Sequence, residues 1–584
     1  MKCAKHIFAI LLTSLSSLSA FSADINVPAE GNIADAIRQA REMRRKAEVA
    51  DSETININLT GATYRLYEPI MLRTEDRNLV IRGQQQTVIS GGMRISDWQK
   101  KGKMWVADVP DFNGRPLLIR QMWVNGKKAV RARDVSDFEK MARIRYVDKQ
   151  NRVLWVPASA FSMFKDKEKA TYKNLEMVLH EMWCVSFLRV KDLVFRGDSV
   201  GVNFHEPESR IQFEHPWPSP MTGEHPSPFY LTNSLTLLDE PGEWFYDFRA
   251  AKIYYMPRKG EDMATADVEV PVLETLVRAE GTLDDNVSNI RFENICFSYT
   301  TWIRPSLYGH VPLQAGMYLT DAYKLRPQMT RENNHKLDNQ GWLGRASAAV
   351  QLLGANNIFF SDCRFEHLGG HGVDFVWGVN RCSVERSTFC DIAMGGFVCG
   401  SFSPAEHETH KVYNPKDLRE VCSTNTISAC SLNDIGNEDW GCCAITAGYV
   451  AEMQIVDNKI FDIPYTGISL GWGWNRQPNC MHDNYVARNS ISHYGRHMYD
   501  TAGIYTLSDQ PGTIIEQNAV DSIYHPSYVH DPNHWFYLYT DEGSNHIIVR
   551  NNYTEAEKFL QNANGPDNVW ENNGPNTKVS IRNK

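Results

Sequence analysis

Six short stretches between Asp362 and Val520 repeat one pattern of turn, apolar residue, polar pair, glycine-containing corner and strand. They read Asp362-Cys363-Arg364-Phe365, Arg386-Ser387-Thr388-Phe389, Ala429-Cys430-Ser431-Leu432, Asp457-Asn458-Lys459-Ile460, Arg488-Asn489-Ser490-Ile491 and Gln517-Asn518-Ala519-Val520. Their apolar anchors are separated by 24, 43, 28, 31 and 29 residues, and the longest gap holds the polar stretch Ser401 to Arg419. A degenerate period of this size, with β-branched strands and asparagine at the corners, predicts an all-β solenoid, the parallel β-helix. Residues one coil apart in sequence then lie one strand spacing apart in space. That makes it possible to ask which carboxylates meet.

At 584 residues the chain exceeds a usual single core, so several domains or a repeat array are expected. Lys2 and Lys5, the apolar run Ile7 to Leu18 and the triplet Ala20-Phe21-Ser22 read as a signal peptide over residues 1–22. Export to the periplasm or beyond is the expectation. The apolar run is too short to span a bilayer, and no later stretch approaches 18 apolar residues. A formal charge of -9 argues against nucleic acid or another polyanion as partner and favours a neutral substrate. The cysteines beyond the leader form no CxxC pair and several fall on strand patterns, so buried thiols are expected rather than a disulfide framework.

Three further segments follow the leader. In residues 23–94, Ile33, Ala36, Ile37, Ala40 and Met43 keep helical spacing within Asn32 to Val49, ahead of the first strands. Such a helix would cap the open end of a solenoid. In residues 95–272 the grammar changes to antiparallel hairpins, with Asn125-Gly126 as a tight-turn pair, and predicts an inserted β-rich domain. Residues 273–584 carry the main solenoid, interrupted by a loop-rich insert from Thr301 to Arg345.

The segment Gly467 to Ser544 is the richest in chemistry, since seven of the 18 histidines fall between His482 and His546. Asp500 and Asp541 stand 41 residues apart. Subtracting an apparent loop from Tyr524 to Trp535 leaves about one coil, which places them at near-equivalent positions on adjacent coils, about 4.8 Å apart. Two carboxylates that close suit glycosidic chemistry, because mutual repulsion leaves one protonated and one ionised. Aspartates capping solenoid corners would give the same pattern. Trp472 and Trp474 share a face if their segment is a strand, either as a sugar platform or as core. His371, Asp374, Glu438, His497, Tyr499 and Glu542 are the other residues expected to line the groove. His493 and His497 are expected to keep Asp500 ionised. No HExxH, paired-cysteine spacing or phosphate loop is present, so no metal or cofactor is expected; Glu406-His407 and His410 read as a solvated loop.

The chain resembles glycoside hydrolase family 141. The resemblance runs through Ser90-Gly91-Gly92 with Trp98, Trp123-Val124-Asn125-Gly126 with Arg131 and Arg133, and Trp244 to Pro257. It continues through Val270-Pro271-Val272-Leu273-Glu274, Gly471-Trp472-Gly473-Trp474 and Asp500-Thr501-Ala502-Gly503-Ile504-Tyr505. It implies a right-handed parallel β-helix with an inserted sandwich-like domain. It also implies hydrolysis of glycosides in plant cell-wall polysaccharide, of α-L-fucosidase or xylanase type, with Asp500 and Asp541 as the catalytic pair. The expected mechanism is retaining, with Asp500 as nucleophile and Asp541 as acid/base. Two other functions stand beside it. A polysaccharide lyase would need a basic residue and a cation at the uronate, but Gly467 to Ser544 contains arginines and no lysine. A non-catalytic carbohydrate-binding solenoid would need no meeting carboxylates.

Overall fold

The computed structural model describes residues 23–583 apart from 85, 216–217, 323–342 and 403–411. The leader, and the Glu406-His407 and His410 group, lie outside the described residues. Most coils contribute one strand to each of three parallel sheets, the first and third of which are joined through the long strand Ala348–Ser361. One coil holds Gln454–Val456, Lys459–Phe461 and Ile468–Leu470; the next holds Tyr485–Ala487, Ser490–Ser492 and Thr501–Thr506. Strand pairs with strand, coil on coil, in each sheet.

The six anchors read from the sequence are successive register partners in the second sheet. Phe365 faces Phe389, then Leu432, Ile460, Ile491 and Val520. All six are fully buried in one apolar core that runs the length of the solenoid. Burying each such side chain stabilises the stack by about 1.5–3 kcal/mol.

The corner before each anchor has its own logic. Asp362, Arg386, Ala429, Asp457, Arg488 and Gln517 all adopt positive φ, between 48° and 59°. The next residue turns its side chain along the stack. The backbone N–H of Cys430 donates to Asn458 Oδ1, that of Asn458 to Asn489 Oδ1, and that of Asn489 to Asn518 Oδ1, at 2.9–3.1 Å. Asn552 and Asn573 extend the ladder. Buried corner amides that no sheet serves are thereby satisfied.

At the amino-terminal end, Asn32 caps a helix over Ile33–Arg45, its side chain accepting from Ala34 N. Ile33, Ala36, Ile37 and Ala40 join the solenoid core. The helix stops short of Val49 because Ala47 takes φ 55° and Glu48 N bonds back to Met43 O, a left-handed C-terminal lock.

Strand Leu79–Arg82 pairs directly with Val287–Glu293, Leu79 opposite Ile290. The intervening chain leaves the stack and returns to it. Its strands pair antiparallel almost throughout, including Trp123–Val124 with Lys127–Lys128 across Asn125 (φ 50°) and Gly126 (φ 71°). The hairpin of Glu176–His180 with Val185–Arg196 belongs to a seven-stranded sheet. The solenoid resumes with Val277–Glu280, which pairs with Ile70–Leu72.

In the third sheet, Ile445, Ala447, Ile468, Leu470, Ile504 and Leu538 point into the core. The residues between them therefore face outward. In register they form one row: Asp374, Val398, Thr446, Ser469, Tyr505, Tyr539 and Leu560. Its last three residues reach the candidate site.

Candidate active site

Asp500 immediately precedes strand Thr501–Thr506, with φ 53° and its N–H bonded to His534 O at 2.7 Å. Asp541 immediately follows strand Trp535–Thr540, its N–H bonded to Thr506 O. Thr501 is opposite Trp535 and Thr506 opposite Thr540. The expected equivalence of the two aspartates therefore does not hold. The coil neighbour of Asp500 is His534, and that of Asp541 is Leu507. Both aspartates nonetheless line one cavity of about 410 Å³, with Tyr465, Tyr505, Tyr539, Trp474, Glu542, Asn562 and His534. Met182 and Trp183 reach it from the antiparallel region, and Leu313 and Gln314 from the segment beside the third sheet.

The two carboxyl groups are held differently. Asp541 is buried; Oδ2 accepts from the Tyr505 hydroxyl at 2.6 Å and Oδ1 from Asn562 Nδ2 at 2.7 Å. Burial, reinforced by the charge of Asp500, pushes its pKa up to about 6 against the pull of these bonds. Asp500 is more open, its side chain 22% exposed, and Oδ1 lies 3.0 Å from His534 Nε2. That bond raises the His534 pKa although burial opposes it. Burial and then both aspartates raise Tyr539 and Glu542 as well. The cavity thus pairs a carboxyl poised to carry a proton with one bonded to an imidazole whose pKa that bond raises.

Residues 102–258 match the family model of the GH141 insertion domain. A solved structure of a glycoside hydrolase is 54% identical, covering 96% of this chain and 98% of its own, with a TM-score of 0.93. The chain is a family 141-type glycoside hydrolase. Weaker likenesses include the complex of XylC with xylose, 12% identical over 92% of this chain and 70% of that one, TM-score 0.43. Another is PfbA, a surface adhesin of Streptococcus pneumoniae, 10% identical over 93% and 85%, TM-score 0.38. No curated protein matches.

The remaining residues expected at the site of this glycoside hydrolase are scattered. Trp474 and Glu542 line the cavity with the aspartates. Glu542 sits in a turn, where Ser544 N bonds to Asp541 O and Gly543 takes φ 79°. Trp472 does not share a face with Trp474, because Gly471, Gly473 and Trp474 all have positive φ and the segment is no strand. Its ring is buried edge-on to Phe402 and Trp474. Asp374 lies on the outward row of Tyr505, but four coils away, roughly 19 Å at one strand spacing per coil, and Arg345 covers it. His371 is fully buried, accepting from Gly395 N. Tyr499 is buried beside the site and lines no described cavity. His493 is exposed against Tyr524, so the imidazole at Asp500 is His534 instead.

Glu438 and His497 line a second cavity of about 520 Å³, between the antiparallel region and the second sheet. Its larger volume does not make it the better acid/base site. Glu438 is ion-paired to Lys128 at 2.6 Å. Burial raises Asp391, but Lys128 and His367 bring it down to about 2. Glu176 is likewise buried and brought to about 2 by Arg120 and Arg131. His497 stacks on Trp440 at 4.3 Å.

Sequence reasoning missed His534, Tyr505, Tyr539 and Trp183 as site residues. Tyr505 and Tyr539 had a signal: each sits between an apolar residue and a threonine in the matching triplets Ile504-Tyr505-Thr506 and Leu538-Tyr539-Thr540 on neighbouring coils. Trp183 had none, being over 300 residues from Asp500 in sequence.

Proposed function

We propose that this glycoside hydrolase is exported and cleaves glycosides of plant cell-wall polysaccharide, of α-L-fucosidase or xylanase type, by a retaining mechanism. In this reading residues 23–94 and 273–584 form one right-handed solenoid and residues 95–272 an inserted domain; the pairing of Leu79 with Ile290 supports it. Asp500 attacks the anomeric carbon while Asp541 passes its proton to the departing oxygen, breaking the glycosidic bond. Asp541, now ionised, takes a proton from water, whose oxygen displaces Asp500 from the anomeric carbon. Trp474 and Glu542 contact the sugar.

The observation that carries the reading is the difference between the two carboxyls: Asp541 raised to about 6, Asp500 paired with His534. A panel of aryl glycosides including α-L-fucosides and β-xylosides, followed by NMR of the first-formed anomer, tests it. Wild type should release product of the same anomeric configuration. Asp500→Asn and Asp541→Asn should each lose at least 100-fold in kcat. An inverted product, or full activity in either variant, refutes the mechanism.

A further inference from the structure

The catalytic cavity has a wall that does not come from the solenoid. Glu176–His180 and Val185–Arg196 form a hairpin whose tip, Glu181 to Cys184, is closed by Glu181 N bonding to Cys184 O at 2.9 Å. Glu181 and Cys184 are buried, whereas Met182 and Trp183 are half-exposed and line the cavity with Asp500 and Asp541.

The tip is fixed from three directions. The indole Nε1 of Trp183 donates to Leu313 O at 2.6 Å, which holds the ring by its polar edge. The Glu181 carboxyl accepts from Gln212 Nε2 at 2.5 Å and from Ser186 Oγ at 3.3 Å. Beneath the tip lies Gly441 of the solenoid. A Cβ there would stand 3.0 Å from Cys184 Cα and 3.1 Å from Trp183 O, closer than ordinary contact. The missing side chain lets the hairpin seat on the solenoid backbone.

The opposite wall is the outward row of the third sheet. Only Tyr505, Tyr539 and Leu560 of that row face the cavity. Further along it, Val398 is buried in a cluster shared with the antiparallel region, and Asp374 is covered by Arg345. The row is therefore no continuous open groove. A flat indole held by its N–H edge presents an apolar face, the surface on which a pyranose ring packs.

We infer that the hairpin tip is a specificity element of the catalytic cavity: Trp183 is a stacking platform for the sugar at the cleaved bond, and with the row covered further along at Val398 and Asp374 a chain enters by its terminal residue. This rests on the assignment of the cavity as the active site. Gly441 and Glu181 are positioning residues, acting through the placement of Trp183.

The test is kinetics of Trp183→Ala, Trp183→Phe and Gly441→Ala on the 4-nitrophenyl glycoside that wild type cleaves fastest in a panel of monosaccharide glycosides, with Asp500→Asn and Asp541→Asn in parallel. Trp183→Ala should raise KM about tenfold with kcat within about threefold; Trp183→Phe should recover most of the loss. Gly441→Ala should raise KM in the same direction although it touches no substrate. Melting temperatures separate unfolding from these effects, and a folded Trp183→Ala with unchanged KM overturns the platform. Wild-type silence on every monosaccharide glycoside, or internal cleavage of a polymer with no terminal sugar released, overturns entry by the chain end. If Asp500→Asn and Asp541→Asn remain active while Trp183→Ala shows the KM effect, the catalytic pair is wrong and the platform stands.

Discussion

The Tyr505 hydroxyl donates to Asp541 Oδ2 at 2.6 Å from the adjacent coil, so the carboxyl that ends one strand is held by the outward row of its neighbour. This bond favours the ionised form of Asp541, whereas burial favours the protonated one. Removing it in Tyr505→Phe should raise the Asp541 pKa further above about 6. As general acid, Asp541 must be protonated, so wild-type activity should fall as pH rises through about 6. In Tyr505→Phe the basic limb of the kcat/KM profile should move to higher pH. A limb that stays put would remove Asp541 from the acid role.

His534 gains its raised pKa chiefly from the hydrogen bond to Asp500. Asp500→Asn should therefore lower it, leaving burial to dominate. Titration of the imidazole resonances by NMR, in wild type and variant, measures the shift directly. An unchanged value would mean that the pair is not formed in solution.

Glu181 gives a stability prediction. Burial pushes its pKa from 4.5 to about 8, so the native state holds a proton that the unfolded chain releases. Its contribution is present below the unfolded value and lost as pH rises through about 8. The loss is of order a few kcal/mol. Thermal melting from pH 5 to 9 should show wild type falling and Glu181→Gln falling less.

The asparagine ladder predicts a localised cost. Asn489→Leu removes the acceptor for Asn458 N at 3.1 Å and leaves a buried amide unsatisfied. The expected destabilisation is about 1–3 kcal/mol, read as a lowered denaturation midpoint with hydrolysis of aryl glycosides retained in the native baseline.

Much of this architecture is legible in the sequence because a solenoid repeats its corner chemistry. Phe365, Phe389 and Ile460 declare one position on successive coils even where the spacing varies, since loops absorb the difference. The Asn125-Gly126 hairpin is legible because two left-handed residues admit few alternatives. The segment that lines the candidate cavity is legible too, but coil arithmetic misplaces its members. The stretch from Tyr524 to Trp535, subtracted as a loop, contains His534, the residue that faces Asp500. Trp472 and Trp474 misled in the same way: alternation holds only for extended backbone, and two glycines with φ 103° break it. Trp183 reaches the cavity through tertiary docking over Gly441, for which no local pattern exists.

Leu79 and Ile290 lie side by side, and the Arg82–Glu293 ion pair at 2.7 Å ties the same two coils across 211 residues of chain. On a ribosome adding about 5–20 residues per second, the partner of Leu79–Arg82 emerges roughly 10–40 s after it. For that interval the strand is an unpaired edge, the kind that recruits other chains. The helix over Ile33–Arg45 packs on strands Ala23–Val27, Ile55–Leu59 and Ile70–Leu72. An early-folding antiparallel region would shorten the wait in space though not in time, by drawing its own two ends together. The order of synthesis thus leaves the edge at Leu79 open until the whole antiparallel region has been made.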